Sequence, residues 1–137
     1  MKQPLEGIKV LDFSRVLAGP YCTMLLADMG AEVIKIERPG SGDDTRHFGP
    51  FQNGESGYFM FLNRGKKSVE INLKDPSARE SLMELIKETD VIVENFRPGV
   101  MKGLGLDYES LKEVNEGIIY CSISGFGQYG PYTKSPA

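Results

Sequence analysis

The chain has 137 residues, 40% hydrophobic and 26% charged, which is enough to bury the core of one compact domain. Its 16 basic and 19 acidic residues leave a formal net charge of -3, so a general nucleic-acid binder is excluded and a bound anion must be met by local positive charge. No apolar run approaches the length of a membrane span, and the opening "MKQPLEG" lacks the apolar core of a signal peptide, so we predict a cytoplasmic protein with no membrane partner.

The first third of the chain alternates strand and helix patterns. Residues 8–13 form an apolar run typical of a strand, and a second strand is predicted at Glu32–Glu37. Between them, "GPYCTMLLADMG" predicts a helix with Pro20 in its first turn and Gly30 at its end. We expect the buried face of this helix to follow the apolar spacing i, i+3, i+4 and i+7, which selects Cys22, Leu25, Leu26 and Met29.

The middle of the chain begins with the polar, glycine-rich stretch "RPGSGDDTRHFGPFQNGESG", a predicted loop of a length that is usually functional or mobile. A short aromatic helix, "GYFMFLN", follows. The third strand is predicted at "KSVEINL", where Val69, Ile71 and Leu73 alternate with polar residues. Asp75 and Pro76 then start a helix whose inner face comprises Ala78, Leu82, Leu85 and Ile86.

The last third supplies two more strands, at residues 90–94 and 117–123, with a short turn or helix at "PGVMKGLGL" and a helix at 108–114 between them. Strands separated by helices indicate βαβ units, so the predicted class is α/β: a Rossmann-like, mostly parallel sheet with helices on both faces. Ligands of such sheets bind beyond the carboxyl ends of the strands. Residues 14–19, Arg38, Lys74 and the segment "ENFR" (residues 94–97) fall there.

Several common motifs are absent from the sequence. The turn after the first strand, "SRVLAGPYC", has a single glycine where a dinucleotide site needs G-x-G-x-x-G, and no P-loop pattern occurs. The one histidine, His47, has no Cys or His near it in the sequence, so neither a zinc site nor a Ser-His-Asp triad is expected. Cys22 and Cys121 lie in apolar segments and are interpreted as small buried hydrophobes in a reducing compartment.

Four long stretches in collinear order resemble the class III coenzyme A transferases, the family of formyl-CoA:oxalate, carnitine and bile-acid CoA transferases and the α-methylacyl-CoA racemases. They are "PLEGIKVLDFSRVLAGPYCTMLLADMGAEVIKIERPGSGDDTR", "LNRGKKSVEINLK", "VIVENFRPGVMKGLGLDYESLKEVN" and "IIYCSISGFGQYGPY". Together they cover nearly the whole chain. The resemblance implies that residues 1–137 are a CoA-binding, Rossmann-like N-terminal segment whose ligand is CoA or acyl-CoA, without a metal.

The resemblance also implies a set of CoA-site residues. In the family, the positions that line the CoA site match Val16, Leu17, Arg38, Ile71, Asn72, Leu73, Lys74, Asn95, Phe96 and Arg97 of this chain. Coenzyme A carries an adenine, a ribose 3′-phosphate and a diphosphate, so its site needs a flat apolar contact, amide donors and permanent cations. We expect Phe96 to contact the adenine, Asn95 to hydrogen-bond the nucleotide and Arg97 to bind a phosphate.

Structural alternatives stay open for some of these side chains. Arg38 also suits a solvated turn, and Phe96 a core ring at the end of the sheet. Lys66 and Lys67 are interpreted as a solvated face rather than a phosphate site. Asp43, Asp44 and Arg46 are expected to hold the long loop by local ion pairs on the surface.

Two positions depart from the family pattern. Many members carry a basic residue two positions after "ENFRPGVM", where this chain has Lys102 followed by Gly103, so a phosphate contact there falls to Lys102 or is missing. Leu17 stands where the formyl-CoA:oxalate enzymes have a glutamine near the reacting acyl group, so an oxalate specificity is not expected.

Transferases of the family use an aspartate that attacks the acyl-CoA thioester and passes CoA to a carboxylic acid acceptor. That aspartate lies downstream of "GFGQYGPY" and none in this chain matches it, so no catalytic residue is assigned. The resemblance implies a segment of an acyl-CoA:carboxylate CoA transferase that is inactive alone and belongs to an interlocked homodimer, as a fragment, a truncated product or one part of a split enzyme. A racemase-type segment and a stand-alone nucleotide-binding or interaction module remain alternatives.

Overall fold

The computed structural model describes residues 2–135. Their elements, in chain order, are β1 (Lys9–Asp12), α1 (Ala18–Asp28), β2 (Glu32–Glu37), a 3-10 helix (Asp44–His47), β3 (Phe51–Gln52), β4 (Glu55–Ser56), α2 (Gly57–Asn63), β5 (Lys67–Glu70), α3 (Pro76–Lys87), β6 (Val91–Glu94), α4 (Val100–Gly103), α5 (Tyr108–Leu111) and β7 (Ile119–Ser122).

Five of the strands form one parallel sheet in the order β5-β2-β1-β6-β7. The central strand β1 pairs with β2 on one side and with β6 on the other, for example Val10 with Val33 and with Val91. The direction of the strand order therefore reverses between β1 and β6, which is where doubly wound sheets bind ligands. The predicted α/β class is confirmed.

The central strands of the sheet are buried on both faces, and successive side chains of each strand point to opposite sides. One core contains Leu11 and Ile92 of the sheet and Phe13 directly after β1, together with Leu82 and Ile86 of α3. The other core contains Val10, Val33 and Val93, packed against Leu26 and Ala27 of α1. The prediction of helices on both faces is thus confirmed by the alternation within β1 and β6.

Helix α3 follows its prediction closely. Asp75 accepts a hydrogen bond from the Ser77 N–H at 3.0 Å, and Pro76 occupies the first helical position, where its missing N–H costs nothing. Leu82 and Ile86 are fully buried. Burial of each such side chain contributes about 1.5 to 3 kcal/mol to folding.

The predicted buried face of α1 is only partly right, because Leu26 packs against the core and Cys22 is half-buried, but the other two predicted residues are exposed. The helix buries Gly19, Pro20, Thr23 and Met24, whereas Leu25 and Met29 are 41% and 40% exposed. Thr23, on the buried side of the helix, donates a hydrogen bond to the buried carboxylate of Asp12 at 2.6 Å. A pattern read from hydrophobicity alone does not contain that partner.

The third strand and the long loop also differ from prediction. Strand β5 ends at Glu70, all four of its residues are exposed at the edge of the sheet, and Val69 is 42% exposed. Ile71 and Leu73 belong to the following loop, where they pack against the core. The predicted loop contains the 3-10 helix and the β3–β4 hairpin.

Within residues 2–135, the tail after β7 has turns and bends only, as predicted. Both cysteines are reduced thiols that are partly buried. In this part of the chain no helix combines the length and the apolar character that crossing a bilayer requires.

Candidate functional site

A cavity of about 300 Å³ lies at the carboxyl edge of the sheet, beyond the ends of β1, β2, β5 and β6. Its apolar wall comes from Phe13, Ile36, Ile71, Leu73, Phe96 and Leu104. Its basic side chains are Arg15, Lys35, Arg38 and Lys74. The cavity therefore combines an apolar interior with positive charge, the combination that an aromatic anion requires.

The loop from β1 to α1, which bounds the cavity, is fixed by Asn95 from the end of β6. The Arg15 N–H donates to Asn95 Oδ1 at 2.8 Å, and Asn95 Nδ2 donates to the Arg15 carbonyl at 2.7 Å. Val16 then adopts φ +69°, a left-handed conformation that is rare for a β-branched residue. Such strain persists only where the surroundings impose it. The Asn95 side chain thus positions the loop by hydrogen bonds to the backbone of Arg15.

The side chains of the segment "ENFR" differ in their positions and contacts. Glu94 is buried and accepts hydrogen bonds from the Phe96 N–H at 2.8 Å and from the Ser122 hydroxyl. Phe96 packs against the core, as one alternative predicted, and its ring also lines the cavity, while its contact with an adenine stays a prediction. Arg97 is exposed and lines two neighbouring cavities instead.

Glu37, at the end of β2, is a buried carboxylate that holds the long loop. Arg46 binds it through two contacts, Nε to Oε2 at 2.8 Å and Nη2 to Oε1 at 2.7 Å, and Ser68 donates to it at 2.6 Å. Burial alone would raise the pKa of Glu37, but the hydrogen bonds from Arg46, Ser68 and the Asp43 N–H outweigh it and lower that pKa to about 2. At Gly42 (φ +63°) a Cβ atom would lie 2.6 Å from Glu37, so only glycine fits.

Asp43 and Lys35 form a buried ion pair beneath the same loop. Lys35 Nζ lies 2.8 Å from Asp43 Oδ2, and both side chains are 1% exposed or less. Lys35 also donates to the Ser14 carbonyl at 2.8 Å, while Asp43 Oδ1 accepts from Thr45 and from the Val16 N–H at 3.3 Å. Burial acts to raise the pKa of Asp43, but Lys35 and the hydrogen bonds from Thr45 outweigh it, so that pKa lies below its ordinary value.

Lys66 corrects a sequence prediction. It was expected on a solvated face, yet its side chain is 1% exposed and its ammonium lies 3.0 Å from Asp12 Oδ2. The Pro20 carbonyl and Asn63 Oδ1 accept its other hydrogen bonds at 2.9 and 2.8 Å. Lys67, in contrast, is 70% exposed, as expected. The Asp12–Lys66 pair supports the start of α1. The chain is closely packed there, since a Cβ on Gly19 would lie 2.1 Å from Ser14.

The expected surface ion pairs of the long loop are only partly confirmed. Asp44 is exposed and contacts Arg15 Nη1 at 3.7 Å and Arg38 Nη2 at 3.4 Å. Asp43 and Arg46, however, pair with the buried residues Lys35 and Glu37. The loop is therefore held from below by one buried ion pair, Lys35–Asp43, and one partly buried pair, Arg46–Glu37, which explains its defined conformation.

The structure brings together most of the predicted site residues. Six of them line the cavity: Arg38, Ile71, Asn72, Leu73, Lys74 and Phe96. Asn95 and Arg97 line an adjacent cavity, and Lys102 lines a third one together with Arg97. Val16 and Leu17 lie on the exposed β1–α1 loop and line none of these three cavities.

Sequence reasoning missed four polar residues of the cavity. Arg15 was inside a segment expected at the ligand edge but was not singled out, and its guanidinium lies 4.9 Å from the centre of the Phe96 ring. Lys35, Glu37 and Asp43 were missed as cavity residues because their ion pairs form only once the loop after β2 folds back over that strand. A charged residue inside an otherwise apolar strand, as Lys35 is in "EVIKIE", was the one available signal.

Comparison with known proteins agrees with this architecture. The sequence profile of CoA-transferase family III matches residues 5–137. Succinyl-CoA:glutarate CoA-transferase from Homo sapiens is 54% identical over 133 residues, which cover 96% of this chain and 30% of that enzyme. Acetyl-CoA:oxalate CoA-transferase from Acetobacter aceti is 52% identical over 136 residues, 99% of this chain and 35% of that enzyme.

A solved structure gives the same result for the fold. The crystal structure of a CAIB/BAIF family protein from Brucella suis superposes with a TM-score of 0.92 and 45% identity, covering 99% of this chain and 37% of that one. The chain thus spans about a third of the length of these relatives. On the profile match and the identities together, the chain belongs to CoA-transferase family III.

Proposed function

We propose that this chain supplies the CoA-binding part of an enzyme that transfers CoA from an acyl-CoA thioester to a carboxylic acid. The observation that carries the proposal is the cavity at the carboxyl edge, which has Phe96 and Leu73 on its apolar side and Arg38 and Lys74 among its cations. Family membership supports it, because the relatives are named as CoA-transferases.

The cavity suits the nucleotide end of CoA. An adenine ring needs an apolar wall, which Ile71, Leu73 and Phe96 offer. The phosphates need permanent cations, and an arginine provides a planar fork that binds two phosphate oxygens at once. Arg38 is 60% exposed at the rim of the cavity, so it is accessible to such a group. Arg97 and Lys102 would meet a phosphate that extends beyond Phe96.

The buried carboxylates near the cavity are not suited to attack a thioester. Asp43 and Asp12 are buried in ion pairs with Lys35 and Lys66. Glu37 is held by Arg46 and Ser68. A nucleophilic carboxylate must be able to approach the acyl carbon, and these three groups are enclosed. We therefore propose that the chain binds CoA and that the attacking carboxylate is supplied elsewhere in a complete enzyme.

Titration calorimetry with CoA tests the proposal. We expect Arg38→Ala to weaken CoA binding by about 1.5 to 3 kcal/mol, the range typical of hydrogen bonds to charged groups. Arg64→Ala is the matched control, since Arg64 pairs with Asp28 at the C-terminal end of α1 and lines none of the three cavities. Absence of CoA binding by the folded wild-type chain would refute the proposal.

A transfer assay tests the second part of the proposal, that the attacking carboxylate is supplied elsewhere. The chain is incubated with acyl-CoA and carboxylic acid pairs, and mass spectrometry follows exchanged CoA and a covalent CoA adduct. We expect neither product. Turnover that disappears when one of the chain's own aspartates is replaced would show that the nucleophile lies within these residues.

A further inference from the structure

Arg15 and Asp44 form an arrangement at the cavity that the proposed function does not use. Asp44 places one carboxylate oxygen toward each of two arginines: Oδ2 is 3.7 Å from Arg15 Nη1, and Oδ1 is 3.4 Å from Arg38 Nη2. Both arginines line the cavity. The Asp44 carboxylate, which belongs to the 3-10 helix at the rim of the cavity, thus bridges the two arginines.

These contacts are loose and exposed. Charge-assisted N–H···O contacts are usually about 2.7 to 2.9 Å long, well below both distances at Asp44. The side chains of Arg15, Arg38 and Asp44 are 40%, 60% and 48% exposed. Exposed pairs of this kind contribute little and are readily exchanged for another anion. The pairs formed by the buried carboxylates of Asp43 and Glu37, in contrast, hold the same loop independently of Asp44.

Arg15 is held where a ligand would meet it. Its backbone is fixed on both sides by the Asn95 amide, so the position from which its side chain extends is set. Its guanidinium lies 4.9 Å from the centre of the Phe96 ring, close to the wall expected to receive an aromatic base. A guanidinium can stack on a ring and bind a phosphate at the same time, which a lysine cannot do.

We propose that Arg15 is a further ligand-binding residue of this site, and that Asp44 occupies the place of a ligand phosphate between Arg15 and Arg38 until the ligand displaces it. The inference rests on the proposed CoA binding and adds to it a residue and a competing internal anion. Binding is then an exchange: the two arginines leave the Asp44 carboxylate and take the phosphate oxygens, and no covalent bond changes.

The test measures the affinity of the 137-residue chain for two probes, CoA and inorganic diphosphate, by calorimetry at low salt. We expect Asp44→Asn and Asp44→Ser to bind both probes about two- to tenfold more tightly than wild type, since two modest ion pairs no longer compete. Glu88→Gln is the matched control: it removes the same charge from an exposed ion pair with Lys9, at the opposite end of the sheet. It should leave both affinities unchanged.

A double-mutant cycle separates Arg15 from a general charge effect. In an Arg15→Ala background, the gain from Asp44→Asn should shrink, because one of the two released cations is missing. Equal affinities of the Asp44 variants and Glu88→Gln would overturn the inference while leaving CoA binding intact. If no variant binds CoA but diphosphate binding still responds to Asp44, the proposed function fails and the anion exchange stands. If neither probe binds to any variant, both fail.

Discussion

Acid should destabilise this protein through Glu37, and the size of the effect follows from its environment. The pKa of Glu37 is about 2 in the folded chain, against an ordinary value of 4.5. As the pH falls, the unfolded chain therefore takes up the proton first. The stabilisation is complete above pH 4.5 and is lost as the pH falls toward 2. The difference between the two pKa values corresponds to roughly 3 kcal/mol.

Urea unfolding at several pH values between 7 and 2 measures this contribution. We expect Glu37→Gln to lower the free energy of unfolding at pH 7 by roughly 3 kcal/mol, because the variant leaves Arg46 without its carboxylate. The gap between wild type and variant should then close as the pH falls to 2. Comparison of the two chains removes the contribution of other carboxyl groups with lowered pKa, such as Asp43. A gap that stays constant with pH would refute the assignment of the low pKa to Glu37.

Three further outcomes follow from the site and the surface. Arg97→Ala should weaken CoA more than dephospho-CoA, by about 1.5 to 3 kcal/mol, if Arg97 binds the 3′-phosphate; equal weakening would assign it to the diphosphate instead. Asn95→Ala should speed hydrogen exchange at the Arg15 amide and cost about 1 to 3 kcal/mol of stability, and an unchanged exchange rate would contradict its role in the loop. Light scattering should show self-association of the chain, because β7 is an edge strand of the described sheet and its Ile119 is 62% exposed; a clean monomer that binds no hydrophobic dye would argue against it.

The fold was accessible from the sequence because its determinants are local. Strand β2 was predicted with its observed bounds, and Asp75 and Pro76 mark the start of α3 in both. Apolar periodicity reports which side of an element faces a core when that core is apolar. Helix α1 shows the limit of this rule, since its buried side includes Thr23, bound to a carboxylate.

The charged groups of the site were less accessible, because their partners belong to other elements or loops and appear in no local pattern. Lys66, just before β5, is buried against Asp12 of β1, whose Oδ2 lies 3.0 Å from its ammonium. Glu37 is buried because the loop folds back and brings Arg46 to it. The strand-end rule and the family resemblance selected Arg38 and Phe96 as candidates, and the structure places both on the cavity, while their contacts with CoA remain predictions.

The position of β1 in the centre of the sheet has a consequence for the order of folding during synthesis. Its partner β2 follows early in the chain, but Val10 also pairs with Val91, which is translated much later. At a synthesis rate of roughly 5 to 20 residues per second, the edge of β1 that pairs with β6 stays unpaired for on the order of 4 to 16 s. That unpaired edge is a template for wrong strand pairing, so the nascent chain is most prone to misassembly in this interval.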